Sequence, residues 1–162
     1  MESKFIQGCI AIELLNDRFK EKKSNGKGGI LTDVEFKNFD KDIQTVIKKH
    51  IPSDKIKRQK MYPKIRELNR PTLQNSLEDM YNFYGIGYSD HFPKFEFIAI
   101  RNKIVHTGLS KSDFKDLREN YEKLVVLLQR TLLGMLNYTG EFIDQSDNWK
   151  RKKFKKENGL KP

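Results

Sequence analysis

The sequence predicts an all-α protein, a single bundle of about five helices. Apolar residues recur three and four positions apart in several long stretches, which is the spacing of one face of an amphipathic helix. No stretch shows the clear alternation of a half-buried strand, and glycine and proline occur mainly between the periodic stretches. The chain of 162 residues is long enough to enclose one hydrophobic core, so we expect one domain.

The first periodic stretch begins near the amino terminus and predicts a helix over residues 3–22. Its recurring apolar residues are Phe5, Cys9, Ile12, Leu15 and Phe19. Cys9 lies on the apolar side, so we interpret it as a core residue and not as a nucleophile. As the single cysteine, it also excludes an internal disulfide. The abrupt start at Met1 suggests either a domain from a longer protein or a short natural protein.

A second helix is predicted to begin after Thr32. Glu35 follows three residues later, and the pair forms a capping box that marks a helix start. Val34 and Val46 are among the residues expected to face the core of this helix. The glycine-rich residues 23–32 have no Gly-Lys-Ser/Thr ending, so they indicate a loop and not a phosphate-binding P-loop.

Two stretches hold much of the basic charge in a chain whose net charge is +10 and whose pI is about 9.6. Residues 53–69 carry cations over a thin apolar stripe, and Pro63 indicates two short helical pieces or one kinked helix. Residues 149–162 lack a core-forming pattern, so we divide the chain into a helical domain, residues 1–148, and a mobile basic tail. The cations expected to contact RNA phosphates are Lys57, Arg58, Lys60, Lys150, Arg151, Lys152 and Lys153. The alternative is a solvated basic face with a solubilising tail.

Residues 97–108, with the sequence F-I-A-I-R-N-K-I-V-H-T-G, predict one helix that ends at its final glycine. On a helical wheel Arg101 falls within the apolar arc, where an unpaired charge is costly. We therefore expect Arg101 to meet a carboxylate, and Glu13, at the edge of the first apolar stripe, is the candidate. Asn102 and His106 are four residues apart and share one edge of the helix. The apolar arc consists of Phe97, Ile98, Ile100, Ile104 and Val105.

The last and longest apolar face predicts a helix from about Asp113 to Asn137, capped by Ser112. Its stripe consists of Phe114, Leu117, Tyr121, Leu124, Val125, Leu128, Leu132 and Met135. About 25 helical residues span roughly 37 Å, which is enough to cross the domain and still offer surface to a second protomer. Residues 138–148 are expected to leave this helix as a turn.

The residues Arg101-Asn102-x-x-x-His106 match the R-polar-x-x-x-H signature of HEPN domains (higher eukaryotes and prokaryotes nucleotide-binding). The run R-N-K-I-V-H-T-G and the later L-x-Y-x-G at Leu136 to Gly140 resemble the ApeA-type HEPN family most. This resemblance implies a HEPN-type helical bundle and a metal-independent endoribonuclease of a bacterial toxin-antitoxin or anti-phage defence system. It also implies a homodimer with a composite site, and an upstream sensor domain or an antitoxin as a further partner.

The same residues suit RNA cleavage without a metal ion or another cofactor. His106 can transfer a proton to or from the reacting ribose and phosphate oxygens, and Arg101 can hold the phosphate by paired hydrogen bonds. Asn102 can orient His106 or the phosphate. Because one chain offers a single imidazole for both the acid and the base, we expect two copies of this helix to face each other in a dimer. The three histidines are scattered and no carboxylate cluster is evident, so a metal-dependent nuclease is not indicated.

Two other interpretations stay open. One is a non-catalytic HEPN module for dimerisation or for nucleotide or RNA binding that uses the same groove. For the motif by itself, the alternative is that Arg101 forms a helix–helix salt bridge and His106 caps the end of its helix. The other is a generic basic RNA-binding bundle whose binding depends on the tail. No apolar run approaches the roughly 20 residues of a membrane span, and no signal-peptide pattern is present. We therefore expect a cytoplasmic protein without a membrane partner.

Overall fold

The computed structural model describes residues 1–24, 29–108 and 113–156. In this part of the chain six helices precede a short antiparallel hairpin, so the all-α class is confirmed, with one helix more than expected and two unpredicted strands. The helices are α1 (Glu2–Ser24), α2 (Asp33–His50), α3 (Lys55–Glu67), α4 (Leu73–Tyr84), α5 (Glu96–Thr107) and α6 (Phe114–Met135). The strands are β1 (Glu141–Asp144) and β2 (Lys150–Lys153), with a 3₁₀ turn at Gln145–Asp147.

The chain divides into two compact units, Met1–Phe19 with Gln74–Pro162, and Lys20–Leu73. The first unit contains most of the buried apolar residues, contributed by α1, α4, α5, α6 and the loop after α4. Its most deeply buried side chains include Phe5, Ile12, Leu77, Met80, Tyr81, Phe92, Phe95, Phe97, Leu124 and Leu127. Cys9 lies in this core, and burial raises the pKa of its thiol to about 12. The prediction that Cys9 is a core residue is confirmed, because its side chain has no exposed surface. A thiol with a raised pKa is also inert near neutral pH.

The buried face of α6 differs from the predicted stripe. Phe114 and Leu132, which were expected in the core, are 64% and 43% exposed. Thr131 and Gly134 are buried instead. A Cβ atom at Gly134 would lie 2.6 Å from a side-chain carbon of Ile86, so the glycine allows the loop after α4 to approach the helix. Hydrophobicity alone could not show the whole of this face, because a threonine and a glycine are buried in it together with Leu117, Leu124, Val126 and Leu127.

The predicted cap of α6, Ser112, lies outside the described residues, and Asp113 occupies the N-cap position.

The second unit contains α2 and α3, which pack against each other. The predicted capping box is confirmed: the Glu35 amide donates to the Thr32 hydroxyl at 3.3 Å, and the Thr32 amide donates to the Glu35 carboxylate at 2.9 Å. Pro63 lies inside α3, which is one helix and not two pieces. The placement of Val34 and Val46 in the core was wrong, since both are exposed and no residue of α2 is buried.

The hairpin corrects the expectation of a strandless tail. Strands β1 and β2 are antiparallel, with Glu141 opposite Lys153 and Asp144 opposite Lys150. The pairing continues one residue further, because the Phe154 amide donates to the Gly140 carbonyl at 2.9 Å. Phe154 is only 7% exposed and meets the ring of Phe142 edge to face. The predicted division at residues 148 and 149 therefore falls between two paired strands.

Within the described residues, no helix is both long enough and apolar enough to cross a membrane.

Candidate active site

Helix α5 carries the predicted catalytic residues and is anchored at its start by an aromatic cluster. Phe95, the residue before α5, has a left-handed backbone with φ of 53° and is buried. Its ring stacks on Tyr88 at 4.6 Å and on Tyr81 at 5.9 Å between ring centroids. These ring contacts offset the conformational cost of a left-handed φ at a bulky residue. They also fix the direction in which α5 leaves the core. Phe97 is buried one residue into the helix.

The predicted partner of Arg101 is present. The Nη2 atom of Arg101 donates to the Glu13 carboxylate of α1 at 3.2 Å. The Nε atom lies 3.1 Å from the other carboxylate oxygen, but its N–H bond is not aligned for a hydrogen bond, so this second contact is an ion pair only. The two side chains are 30% and 26% exposed, so the pair lies at the rim of the core. A charge-assisted bond of this kind holds the guanidinium in one orientation.

Asn102 contacts Arg101 and not His106. The Nη1 atom of Arg101 donates to the side-chain oxygen of Asn102 at 3.0 Å. Glu13 and Asn102 therefore hold two different nitrogens of the same guanidinium. The predicted contact of Asn102 with His106 is therefore replaced by one with the arginine.

His106 lies in the last turn of α5 with an exposed side chain. The helix ends where the sequence predicts, since Gly108 has φ of 72° and its amide donates to the Ile104 carbonyl at 2.8 Å. No side chain in the described ranges forms a hydrogen bond or an ion pair with the His106 ring. Val105 is also exposed, so its assignment to the buried arc was wrong. The outer face of the last turn thus presents an imidazole beside an aliphatic side chain.

The L-x-Y-x-G residues, Leu136 to Gly140, have a structural role at the end of α6. The amides of Asn137 and Tyr138 donate to the carbonyls of Gly134 and Leu133, at 3.2 and 2.9 Å, while Asn137 takes a left-handed φ of 54°. This is the pairing of a Schellman motif. The Tyr138 ring then covers Gly140 so closely that no side chain would fit there, and its hydroxyl donates to the Glu141 carbonyl at 3.0 Å. The motif directs the chain from the helix into β1.

The predicted RNA-binding residues of α3 differ in whether the side chain is exposed or already hydrogen-bonded within the protein. Lys57 and Lys60 are exposed, as an electrostatic surface requires. Arg58 instead donates to the carbonyls of Ile51 and Pro52, both at 2.6 Å. These carbonyls lie at and just beyond the end of α2, so the guanidinium of Arg58 closes the connection between two helices.

The predicted RNA-binding residues of the hairpin also fall into two groups. Lys150 donates to Asp147 at 2.9 Å, and Lys152 contacts Asp144 at 2.8 Å and Asp147 at 3.1 Å. The hydrogen bond to Asp144 raises the pKa of Lys152. Arg151 and Lys153 are exposed. The charges of Lys150 and Lys152 are therefore neutralised within the hairpin.

A charged cluster around Asp144 was not expected from the sequence. Asp144 is completely buried, and its carboxylate accepts from Lys152 and from Ser146 at 2.6 Å. Arg130 of α6 lies 3.8 Å from it and donates to Asp90 at 2.8 Å. Burial would raise the pKa of Asp144, but the bonds from Lys152 and Ser146 hold it below its usual value.

His91 belongs to the same cluster. Its two ring nitrogens lie 3.8 Å from Asp90 and 3.9 Å from Asp144, and Nε2 lies 3.4 Å from the Ser146 hydroxyl. Burial lowers the pKa of His91, opposed by the charge of Asp90. Two features of the sequence could have indicated this cluster. Arg130 stands among the apolar residues of α6, and Asp144 comes directly after two apolar residues, F-I.

Metal ligands do not gather in the described ranges, where no three His, Cys, Asp or Glu side chains come close enough to hold an ion. A sequence model of the Apea-like HEPN family matches residues 6–141, which include α5 and the whole of α6. No curated protein and no solved structure matches the chain. HEPN domains are generally ribonucleases, so the family match indicates a nuclease-like or RNA-binding module.

Proposed function

The chain belongs to the Apea-like HEPN family, and from this membership we propose that it is a metal-independent endoribonuclease that acts as a homodimer. One observation carries the proposal. Glu13 of α1 and Asn102 of α5 hold the Arg101 guanidinium, while the His106 imidazole of α5 is open to solvent. An oriented cation and an accessible proton carrier are the two groups that a phosphodiester cleavage of this class needs.

In the proposed reaction the ribose 2′-hydroxyl attacks the adjacent phosphorus and the bond to the 5′-oxygen breaks. One imidazole takes the proton of the 2′-hydroxyl, and a second imidazole gives a proton to the leaving 5′-oxygen. Arg101 stabilises the charge on the phosphoryl oxygens. The products are a 2′,3′-cyclic phosphate and a 5′-hydroxyl end. DNA is not a substrate for this reaction, because it lacks the 2′-hydroxyl.

Exposed apolar side chains on the same unit support the homodimer. Ile10 and Leu14 are one turn apart on α1, on either side of the position of Glu13. Val105 lies next to His106 on α5, and Phe114 opens α6. A second protomer that covered these side chains would bring its own Arg101 and His106 to the shared cleft and so supply the missing acid or base.

We also propose, from the family resemblance, that the activity belongs to a bacterial toxin-antitoxin or anti-phage system in the cytoplasm. An upstream sensor domain or an antitoxin would restrain it.

The decisive experiment is cleavage of tRNA or total RNA by the purified protein in the presence of EDTA. Cleavage by the wild type should survive chelation and should disappear in His106→Ala and in Arg101→Ala. Lys103→Ala is the matched control, because Lys103 is an exposed cation on the same helix. Analysis of the RNA ends should show cyclic phosphates and 5′-hydroxyls.

A mixed dimer tests the composite site. A heterodimer of one wild-type chain and one His106→Ala chain keeps both arginines but only one imidazole, so it should lose far more than half of the wild-type activity. A stable heterodimer that keeps half of the activity would mean that each protomer cleaves alone and would contradict a shared cleft.

The second candidate is a non-catalytic module for dimerisation or for nucleotide or RNA binding. The observation that favours it is the Glu13–Arg101 contact itself, because the carboxylate already neutralises the guanidinium. This candidate predicts a folded dimer that leaves RNA intact under all the conditions above.

A further inference from the structure

A pocket of about 540 Å³ lies beside the hairpin and shares its lining with α6 and the loop after α4. Its charged and aromatic lining includes Arg130, Phe142, Lys152, Lys153, Lys155 and Lys156. The volume falls in the range of small-molecule sites in proteins, roughly 300 to 1,000 Å³. None of these residues belongs to the Arg101 and His106 motif.

Two of these cations, Arg130 and Lys152, already have carboxylate partners and stabilise the wall of the pocket. Arg130 donates to Asp90 at 2.8 Å, and its guanidinium lies 5.7 Å from the centre of the Phe142 ring. Lys152 is held by Asp144 at 2.8 Å. The buried carboxylate therefore fixes the wall of the pocket, and the cation–π contact positions the Phe142 ring.

Three lysines remain without a carboxylate partner among the residues that the structure describes: Lys153, Lys155 and Lys156. All three are exposed, and Lys156 donates to the side-chain oxygen of Asn137 at 2.6 Å. On a convex surface such lysines would only be solvated. Here they line one concavity, where like charges raise the local potential and favour an anion.

We infer that this pocket binds a nucleotide, with Lys153, Lys155 and Lys156 holding its phosphates and Phe142 contacting its base. Lysine ammonium groups bind phosphate as point charges, and an aromatic ring can pack against any base. The nucleotide has two possible sources, a free nucleoside triphosphate or one nucleotide of a single-stranded RNA. The inference stands apart from the proposed ribonuclease activity, because binding is measured without cleavage.

The test is calorimetric titration of the full chain with ATP in one arm and with a six-nucleotide 2′-O-methyl RNA in the other. The methylated RNA has no attacking 2′-hydroxyl, so a failure of catalysis cannot be mistaken for a failure of binding. The triple variant Lys153→Gln/Lys155→Gln/Lys156→Gln should weaken binding at least about tenfold, because it removes three phosphate contacts. The matched control, Lys37→Gln/Lys41→Gln/Lys48→Gln, loses the same charge from exposed lysines of α2 and should bind almost as the wild type.

Phe142→Leu separates the base contact from the charge. It keeps an apolar side chain in the pocket and should weaken ATP binding without changing the affinity for tripolyphosphate. A response to ATP alone identifies a free nucleotide as the ligand, and a response to RNA alone identifies a strand. The inference is overturned if neither ligand binds, or if the pocket variant and the α2 control lose the same affinity.

Discussion

Two of the arginine–carboxylate contacts in the first unit differ in how completely they are enclosed. Asp144 has no exposed surface, and the Arg130 side chain beside it is only 12% exposed. Lys152, Ser146 and His91 also lie against the Asp144 carboxylate. Around Glu13, the Arg101 side chain is 30% exposed and its other neighbour, Asn102, is itself exposed. The hairpin cluster is closed, whereas the α5 contact is open on one side.

The difference shows that a residue type does not define a role in this protein. His91 and His106 are both histidines, but His91 is held between carboxylates and a hydroxyl while His106 faces solvent. A buried group whose bonds are all satisfied stabilises the fold. An exposed group without such bonds remains available for a ligand. The first arrangement predicts an effect on stability, and the second predicts an effect on activity.

The largest expected effect separates the two histidines. His106→Ala should reduce RNA cleavage at least about 100-fold, the contribution of a general acid or base, and should leave the thermal unfolding midpoint unchanged. His91→Ala should lower the unfolding midpoint and keep the cleavage rate at temperatures where the variant is folded. Paired melting curves and cleavage rates measure both. The comparison fails if a folded His91→Ala protein loses cleavage and His106→Ala keeps it.

The second effect concerns the closed cluster. Asp144→Asn should reduce the free energy of unfolding by about 3 kcal/mol, because Lys152 and Arg130 lose the buried one of their carboxylate partners and keep only the more exposed Asp147 and Asp90. Asp147→Asn is the control, since Asp147 contacts the same lysine from a more exposed position, and its loss should be much smaller. Urea denaturation measures both variants. Equal losses would mean that the burial of Asp144 does not matter.

The third effect concerns Glu13 as a positioning residue. Glu13→Gln should lower kcat about tenfold with little change in KM, since it weakens a charge-assisted bond worth about 1.5 kcal/mol. Glu13→Asp should restore part of the rate because it returns the charge. Glu119→Gln, at an exposed carboxylate of α6, serves as the control. A Glu13→Gln rate equal to or above the wild type would show that the contact only stabilises the fold or restrains Arg101.

The smallest effect is a pH dependence of stability. The pKa of His91 in the folded protein is below its ordinary value of 6.5, mainly because of burial. Its contribution is therefore present above about 6.5 and is lost as the pH falls from there. Asp90 and Asp144 also have lowered pKa values, since bonds to Arg130 and Lys152 outweigh burial, so they add a second loss below their ordinary value of 3.8.

Denaturation across this pH range should show the two steps, and His91→Gln should remove the first. His50→Gln, at an exposed histidine, should keep it. A His91→Gln protein that loses stability between neutral pH and pH 5 as steeply as the wild type would contradict the assignment.

Local signals were sufficient to predict much of the fold and part of the site. The Thr32–Glu35 box and the glycine at 108 act over a few residues, so their effect is visible in the chain itself. The Glu13–Arg101 contact joins residues that are distant in the sequence. It could still be predicted, because an arginine inside an apolar arc requires a carboxylate partner and Glu13 lies at the edge of the first apolar stripe. The prediction that Arg101, Asn102 and His106 act on RNA stays a prediction.

The hairpin could not be predicted, because β2 consists of the residues K-R-K-K and has no apolar alternation. It is stabilised by groups from elsewhere: Asp144 neutralises Lys152, and Phe154 fills a space beside Gly134 and Ile86. Dependence on distant residues also explains why the exposure of Val34 and Val46 was not predicted. Their spacing indicated one face of a helix, but it could not show whether another element packs against that face.

The hairpin also determines how the basic carboxyl-terminal region can be studied. Cutting the chain before Trp149 would remove Phe154 from the interior and leave β1 with an unpaired edge. A loss of RNA affinity after such a truncation would report a damaged protein and not a missing charge. Glutamine replacements of single lysines avoid this confusion, because each one changes the charge and leaves the backbone pairing and the phenylalanine in place.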